Sequence, residues 1–477
     1  MNNLLVMKFG GTSMGSAERM KVAASICSEQ ARTRPVVCVV SAMSKVTDLL
    51  LDSLRKAEAG DRADLDSNLN VLRDRHVAAC EDLLESGAAR TEILREVDIL
   101  LNEFARIANG ILMLGERPPR SIDEAIAIGE RLSALLLSAY LESQGAHASA
   151  INAFQVIVTD AVFGNASPLM DHTREKCANV LGPLLERGAM PIVTGFNGAT
   201  TDGRPTTLGR GGSDFSASIL ASALDAAELW IWTDVDGIMS TDPRVVADAR
   251  VLDEVTYNEA AELAYNGAKV LHPRTLAPLE EKKIPVWSKN SFNLAAPGTK
   301  IVPKLSIEPK GARAVTSMKN VALIAIEPAA GGLSGTRLMA RAMGALARAN
   351  AEILAITSSS YRQSFCFLVR HDELRLVLDH LEDGLSLELT HGYSRPIEVD
   401  EDVALIAVVG EGMRGAQGMA GRIFTAISNA DVNIMAIAQG SSEITIAAVV
   451  RKSGVDRAVR AIHAECGMSA DERETEA

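Results

Sequence analysis

The chain has 477 residues, of which 47% are hydrophobic, 23% charged and 4% aromatic, with a net charge of −13. That balance predicts two to four soluble domains with large aliphatic cores, and argues against nucleic acid or an anionic membrane as the main partner. No apolar run reaches the ~18 residues of a membrane span. A strand starts almost at once, so no signal peptide is expected. Six cysteines without C-x-x-C spacing predict buried thiols of a cytosolic protein, and eight histidines without ligand spacing predict no structural zinc.

The first element is a short apolar strand, Leu4 to Met7, followed by KFGGTS (Lys8–Ser13) and a helical stretch from Ala17 to Gln30. A lysine, two glycines and two hydroxyls at a strand-to-helix turn suit an anion. The glycines let backbone N–H groups come close, the hydroxyls donate, and the lysine supplies charge. The lysine precedes the glycines, so the run is not a P-loop. Further strand candidates are Pro35–Ser41, Gln155–Asp160, Met190–Gly195, Leu229–Asp234 and Pro285–Lys289. Their consecutive apolar positions predict strands buried on both faces. Helical stretches lie between them: Val46–Ala59, Leu65–Glu85 and Thr91–Asn109 as an insertion, then Ser213–Ala227 and Tyr257–Val270. This alternation predicts an α/β domain with a largely parallel sheet.

Three more runs carry chemistry. TLGRGGSD (Thr207–Asp214) precedes a helix, with Ser213 or Asp214 as its cap and Arg210 read as a buried cation beside three glycines. Upstream, Asn197–Arg204 reads as an exposed hairpin or loop. WTDVDGIMSTDPR (Trp232–Arg244) leaves a strand and offers hydroxyls, carboxylates and an arginine suited to a nucleotide. GAKVLHPRTL (Gly267–Leu276) places Lys269 in the last stretch of a helix ending before Pro273. Two glycine loops and at least two cations on one α/β domain point to triphosphate chemistry, where positioning and charge neutralisation matter most. A carboxylate acceptor is already ionised and needs no general base, which fits the absence of a Ser–His–Asp or Cys–His pattern.

After Pro297-Gly298 and Pro303 the composition shifts, and Pro309–Gly311 reads as a linker. Two repeats follow. Asn350–Ile356 aligns with Asp431–Ile437, and Leu338, Ala342 and Leu346 match Met419, Ile423 and Ile427 at helical spacing. Each repeat reads strand, glycine-rich loop, helix, strand, turn, strand, and is too small to bury much core alone. Residues 470–477 are polar and acidic and read as a disordered tail.

In this order, KFGGTS, LGRGGSD, WTDVDGI with TDPR, and GAKVLHP resemble the aspartate kinase family over nearly the whole chain, and KNSFNLAAPGT (Lys289–Thr299) matches the family's end-of-domain segment. The resemblance implies an amino-acid-kinase fold, a mainly parallel sheet sandwiched by helices, over 1–303 with the helical insertion at about 46–130. Two ferredoxin-like (βαββαβ) ACT domains would follow at 318–390 and 403–468, with the strand 312–317 contributed to the second. It implies transfer of phosphate from ATP, with Mg²⁺, to the β-carboxylate of L-aspartate, the first step of the aspartate-derived amino-acid pathway.

Site residues follow from the same resemblance. Lys8 would neutralise the transferring phosphoryl group and Asp214 would orient Lys8. Gly10, Gly11, Thr12, Ser13, Gly211, Gly212, Thr233, Asp234, Asp242, Arg244 and Lys269 would hold the nucleotide. Ser41, Thr47, Glu130, Arg210 and Ser213 would hold aspartate, with Glu130 on the ammonium and Arg210 on a carboxylate. Without the family match, Glu130 reads as an exposed helix charge. Met239 stands where family members often carry an aromatic near the nucleotide. No protein metal ligand is assigned. An amino-acid effector would contact Leu333, Ser334 and Gly335 and the strand Ile353 to Ser359, including Thr357. The loop Gly331–Thr336 matches neither a lysine nor a threonine site pattern, which predicts a weak or unusual response. ACT edge strands predict a homodimer or higher oligomer. The length leaves no room after the second repeat for a dinucleotide domain, so a monofunctional kinase is expected. The alternatives are a kinase for another amino acid and a catalytically silent ligand sensor.

Overall fold

Five consecutive buried residues in each of Leu5–Phe9, Val36–Val40 and Met190–Thr194 make these strands the centre of a sheet covered on both faces. The computed structural model describes residues 3–268, 271–329, 334–360 and 363–469. The chain divides into two units. The first comprises Met1–Ile238, Asp253–Tyr257 and Leu271–Lys304. Its eight-stranded sheet has the order Ala148–Ile151, Met190–Thr194, Val36–Val40, Leu5–Phe9, Glu228–Thr233, Val286–Asn290, Thr299–Val302, Glu254–Thr256. All described pairings in it are parallel except Val286–Asn290 with Thr299–Val302. This is the largely parallel sheet expected from the alternation of strands and helices.

The helical insertion holds Val46–Glu58, Arg62–Leu83, Ala88–Leu114 and Pro119–Ile126, then Ile128–Ser143; the third extends beyond the expected Thr91–Asn109 at both ends. Gly115 at φ +66° closes the longest helix, and Pro119 opens the next at a position that needs no N–H donor. Two readings need correction here. The stretch Gln155–Asp160 is mostly not strand. Asn152 caps a 3₁₀ turn, Ala153–Gln155, by accepting the Phe154 N–H, and only Val158–Thr159 is extended. The hairpin at Asn197–Arg204 is buried along Asn197–Thr200, because that strand joins Val158–Thr159 and Pro205–Thr207 in a second, three-stranded sheet; only its tip is exposed.

The second unit comprises Met239–Leu252, Asn258–Val270 and Leu305–Ala477. Helix Tyr257–Tyr265 belongs to it in all but its first residue. Among the described residues that helix ends at Tyr265, well short of Pro273. That proline instead opens helix Pro273–Lys282 in the first unit, with the His272 ring accepting the Arg274 N–H. Two antiparallel four-stranded sheets carry the repeats. One has the order Ala355–Ser358, Phe365–Arg370, Val321–Ile326, Glu398–Asp400, and the other Ala314–Met318, Val403–Val409, Thr445–Arg451, Ile434–Gln439. The strand preceding each repeat lies in the other repeat's sheet. Thr316 pairs with Ala407, and Val399 pairs with Ile324. Leu338, Ala342, Ala345 and Leu346 form the stripe that helix Gly335–Arg348 buries against Phe365 and Phe367. Each repeat also closes with a helix, Leu374–Gly384 or Val455–Glu465, which the sequence pattern had left out. Among the described residues no helix is long and apolar enough to cross a membrane.

Candidate active site

Register aligns the ends of the central strands. Phe9 pairs with Val40 and Trp232, Val40 with Thr194, and Asn290 with Thr233. Gly10, Ser41, Gly195, Asp234 and Ser291 therefore leave the sheet along one carboxyl edge, where open α/β sheets bind ligands.

Lys8 is the second-last residue of its strand and is buried. Its Nζ lies 2.6 Å from Asp214 Oδ1, in an ion pair whose angle falls outside a directed hydrogen bond. Asp214 sits in the first turn of helix Gly212–Ala223, entered through Gly211 at φ +68°. A side chain at Gly211 would be strained by that backbone and would press on His272, 3.1 Å from its Cβ. A Cβ at Gly11 would stand 3.2 Å from the Ala42 carbonyl, so the KFGGTS backbone and the Ser41–Ser44 segment run side by side. Thr12 is exposed and Ser13 is buried. The Ser13 hydroxyl is 2.8 Å from Ser291 Oγ.

Ser291 is a junction that the sequence reading missed. Its N–H and hydroxyl both donate to the Thr233 carbonyl, at 2.9 and 3.2 Å, and it takes Arg19 on both its carbonyl and its hydroxyl. The Arg19 guanidinium also lies over the Phe292 ring, 3.6 Å from its centroid. The signal was present in KNSFN, where family likeness marked a segment without giving it a task. Asp123 was missed too. Fully buried, it accepts the N–H groups of Gly164 and Thr207 and the Thr207 hydroxyl, which fixes the start of the second glycine loop.

Glu130 is not an exposed helix charge: only 3% of it reaches solvent. Oε1 accepts the Ala42 N–H at 3.1 Å, and Oε2 is buried without a hydrogen-bond partner. Burial pushes its pKa up to about 8, against the opposing pull of the Ala42 N–H, its own N–H and the nearby Lys8 charge. A buried carboxyl with one empty oxygen is built to receive a donor. Ser41 and Thr47 are half-buried at the edge of the sheet and on the first turn of Val46–Glu58. Ser213 is half-buried, and its side chain fills the space beside Gly195, where an added Cβ would lie 2.8 Å from it. Arg210 is exposed rather than buried, because Gly209 and Gly211, both at positive φ, turn the loop outward.

The expected nucleotide residues divide. Thr233 and Asp234 stand at the carboxyl edge of the first unit, the Thr233 hydroxyl donating to Asp234 at 3.2 Å. Asp242 and Arg244 belong to the second unit and pair with each other at 2.6 Å. Lys269 lies outside the described residues, as does Leu333. Of the expected effector residues, Thr357 borders a cavity of about 350 Å³ with Ser358, Ser359, Glu327 and Arg395, whereas Ser334, Gly335 and Ile353 do not line it. Gly335 opens its helix without a side-chain cap from Ser334, and the Gln363 side chain accepts the Thr336 N–H at 3.2 Å instead.

Comparison with known proteins adds to this geometry. A profile of the amino acid kinase family matches residues 3–290, and one of the ACT domain matches residues 406–466. The chain is 34% identical over 472 residues to the chloroplastic bifunctional aspartokinase/homoserine dehydrogenase 1 of Arabidopsis thaliana, covering 97% of this chain and 51% of that protein. It thus spans about half the length of relatives of that kind. It is 32% identical to the chloroplastic aspartokinase 3 of the same plant, covering 96% of this chain and 80% of that one. Aspartokinase III of E. coli, crystallised with aspartate and ADP in the R-state, superposes with a TM-score of 0.84 at 32% identity, covering 97% and 99% of the two chains. The same E. coli enzyme with lysine and aspartate, in the T-state, gives 0.77 at 33% identity. By sequence and by fold, the chain belongs to the amino acid kinase family, among its aspartokinases.

Proposed function

We propose that this protein is a cytosolic aspartate kinase, which uses ATP to phosphorylate the β-carboxylate of L-aspartate and yields ADP and 4-phospho-L-aspartate. The observation that carries the reading is the buried Glu130 carboxyl with one unpartnered oxygen in the same unit as the Lys8–Asp214 ion pair. An α-ammonium group is the donor that such a carboxyl would take. Lys8 neutralises charge on the transferring phosphoryl group, Asp214 fixes the lysine, and Gly10, Gly11 and Thr12 carry the phosphates. Thr233 and Asp234 serve the nucleoside. Asp242, Arg244 and Lys269 complete the nucleotide contacts, and Ser41, Thr47, Ser213 and Arg210 the aspartate contacts. A Mg²⁺ ion would be held chiefly by the nucleotide's own phosphates. E. coli aspartokinase III binds aspartate and ADP, which supports the same substrates here.

A coupled ADP-release assay over aspartate, glutamate and N-acetylglutamate tests the substrate; faster turnover on glutamate would overturn the choice. In that assay Lys8→Ala lowers turnover by about a thousandfold or more, with little change in melting temperature. A loss under about tenfold contradicts the role given to Lys8.

Arg210→Ala mainly raises the KM for aspartate and leaves that for ATP near its starting value. An unchanged aspartate KM removes Arg210 from the pocket.

Glu130 gives a pH signature. Its pKa in the empty site is raised to about 8, so the carboxyl is mostly protonated below that pH and must lose its proton to pair with an ammonium. Aspartate affinity therefore strengthens as pH rises toward 8, by up to about tenfold per unit, and levels off above. Glu130→Gln binds aspartate weakly at every pH and loses this slope. A wild-type aspartate KM that is flat between pH 6 and 8 would exclude Glu130 as the ammonium partner.

Regulation and assembly complete the proposal. Ala355–Ser358 and Ile434–Gln439 are edge strands with Ile356 and Ile437 exposed, and they serve as the self-association surface of a homodimer. The cavity beside Thr357 takes an amino-acid effector, lysine being the first to test because E. coli aspartokinase III binds it. Sedimentation velocity is expected to give a dimer or larger species. Replacing both isoleucines by lysine yields monomers; a wild-type monomer at micromolar concentration refutes the surface.

A further inference from the structure

Arg274 lies in the run GAKVLHPRTL, second in helix Pro273–Lys282, and belongs to the first unit. One nitrogen of its half-buried guanidinium donates to the Leu208 carbonyl at 3.0 Å and to Asn165 Oδ1 at 2.6 Å. The other donates to the Ala166 carbonyl at 2.7 Å and to Ser167 Oγ at 3.3 Å. The same guanidinium lies over the Phe215 ring, 4.7 Å from its centroid. Leu208 precedes Arg210 by two residues, and Phe215 follows it in helix Gly212–Ala223. One side chain thus grips both flanks of the second glycine loop, a task suited to a planar fork of several donors and not to a lysine's point charge.

Asp123, also in the first unit, grips the loop's approach. Its Oδ2 accepts the N–H groups of Gly164 and Thr207, at 2.8 and 2.9 Å, and its Oδ1 accepts the Thr207 hydroxyl at 2.8 Å. The Thr207 carbonyl accepts the Ala166 N–H at 2.9 Å. The stretches 164–167 and 207–208 are therefore stapled twice, once by an acid and once by a base, just before the loop begins.

Gly209 leaves this staple at φ +76°, where an added Cβ would lie 2.6 Å from Asn165 Oδ1. Gly211 enters the helix at φ +68° beside His272. Arg210 stands between two glycines, the residues whose backbones resist rotation least, so what fixes its place must come from outside them. Gly211, Gly212 and Asp214 are secured separately by the helix: the Phe215 N–H donates to the Gly211 carbonyl at 3.0 Å, and Ser216 Oγ to the Gly212 carbonyl at 2.9 Å.

We infer that Arg274 and Asp123 are positioning residues for aspartate: they hold the flanks of the glycine loop so that Arg210 is presented to the substrate carboxylate, and loosening either lowers aspartate affinity while ATP affinity stays. The inference rests on the role proposed above for Arg210. Asp123 and Glu130 lie on consecutive helices, Pro119–Ile126 and Ile128–Ser143. One stretch of chain then serves both ends of the substrate, Glu130 by touching it and Asp123 through the loop.

The test uses the full chain and steady-state kinetics in both substrates. Arg274→Ala raises the KM for aspartate about tenfold and leaves the KM for ATP near its starting value. Arg274→Lys, which keeps the charge and loses the fork, recovers only part of that loss. Thr207→Val takes one hydroxyl from Asp123 at constant shape and raises the aspartate KM roughly threefold; it stands in for Arg274→Ala should that variant not fold. In the Arg210→Ala background Arg274→Ala adds no further rise, because it acts through the arginine already lost. A further rise in that background, or an aspartate KM unmoved by both Arg274→Ala and Thr207→Val, would mean that the clamp only holds the fold, and would overturn the inference. If the wild-type chain releases no ADP on aspartate, or Arg210→Ala leaves the aspartate KM unchanged, the reading of the site fails separately. Amide hydrogen exchange over residues 208–212 then judges the clamp: faster exchange in Arg274→Ala supports it, and unchanged exchange overturns it.

Discussion

The Lys8–Asp214 ion pair is the constraint around which the first unit is arranged. The lysine lies near the end of the first strand, and the aspartate in the first turn of a helix some two hundred residues later. Their meeting requires that the first strand lie beside Glu228–Thr233, that Met190–Thr194 pair with Val36–Val40, and that a glycine at φ +68° turn the chain into the Asp214 helix. In a largely buried pair of this kind the cost of desolvation offsets much of the attraction, so it is weak evidence of stability. Its value is a fixed positive charge at a position that secondary structure, rather than a mobile loop, defines.

Around this charge the edge of the sheet is braced by groups without an obvious chemical task. Ser291 links the KFGGTS turn to the end of the Trp232 strand through Ser13 and the Thr233 carbonyl, and Arg19 locks Ser291 from the following helix. Asp123 does the same for the second glycine loop. Glu130 shows a different arrangement: one oxygen accepts the Ala42 N–H and the other is buried without a hydrogen-bond partner.

Much of this was legible in the chain. Apolar runs of five gave the central strands to within a residue or two, because burial on both faces leaves no alternation to misread. Lys8, Asp214 and the glycine loops stood out because glycine and charge together are hard to explain by packing. What escaped has a physical reason. Burial of Glu130 depends on neighbours far away in sequence, such as Ala42, and local pattern does not fix it. Pro273 was taken for the end of a helix because proline stops helices, but it also starts them, and only the fold decides. The two-residue strand Val158–Thr159 is too short for any period. The membership of Asp242 and Arg244 in the second unit could not be read at all, since the segment carrying them leaves the strand Glu228–Thr233 and finds most of its core partners far later in the chain.

The exchanged strands Ala314–Met318 and Glu398–Asp400 bear on how the chain is made. During synthesis Ala314–Met318 leaves the ribosome long before its partner Val403–Val409 exists, and the first repeat's sheet lacks its Glu398–Asp400 strand until the segment between the repeats has emerged. The first repeat's sheet is therefore complete once Glu398–Asp400 has emerged, whereas the second repeat's sheet waits for the rest of the chain. Through that interval Ala314–Met318 is a strand made early and paired late.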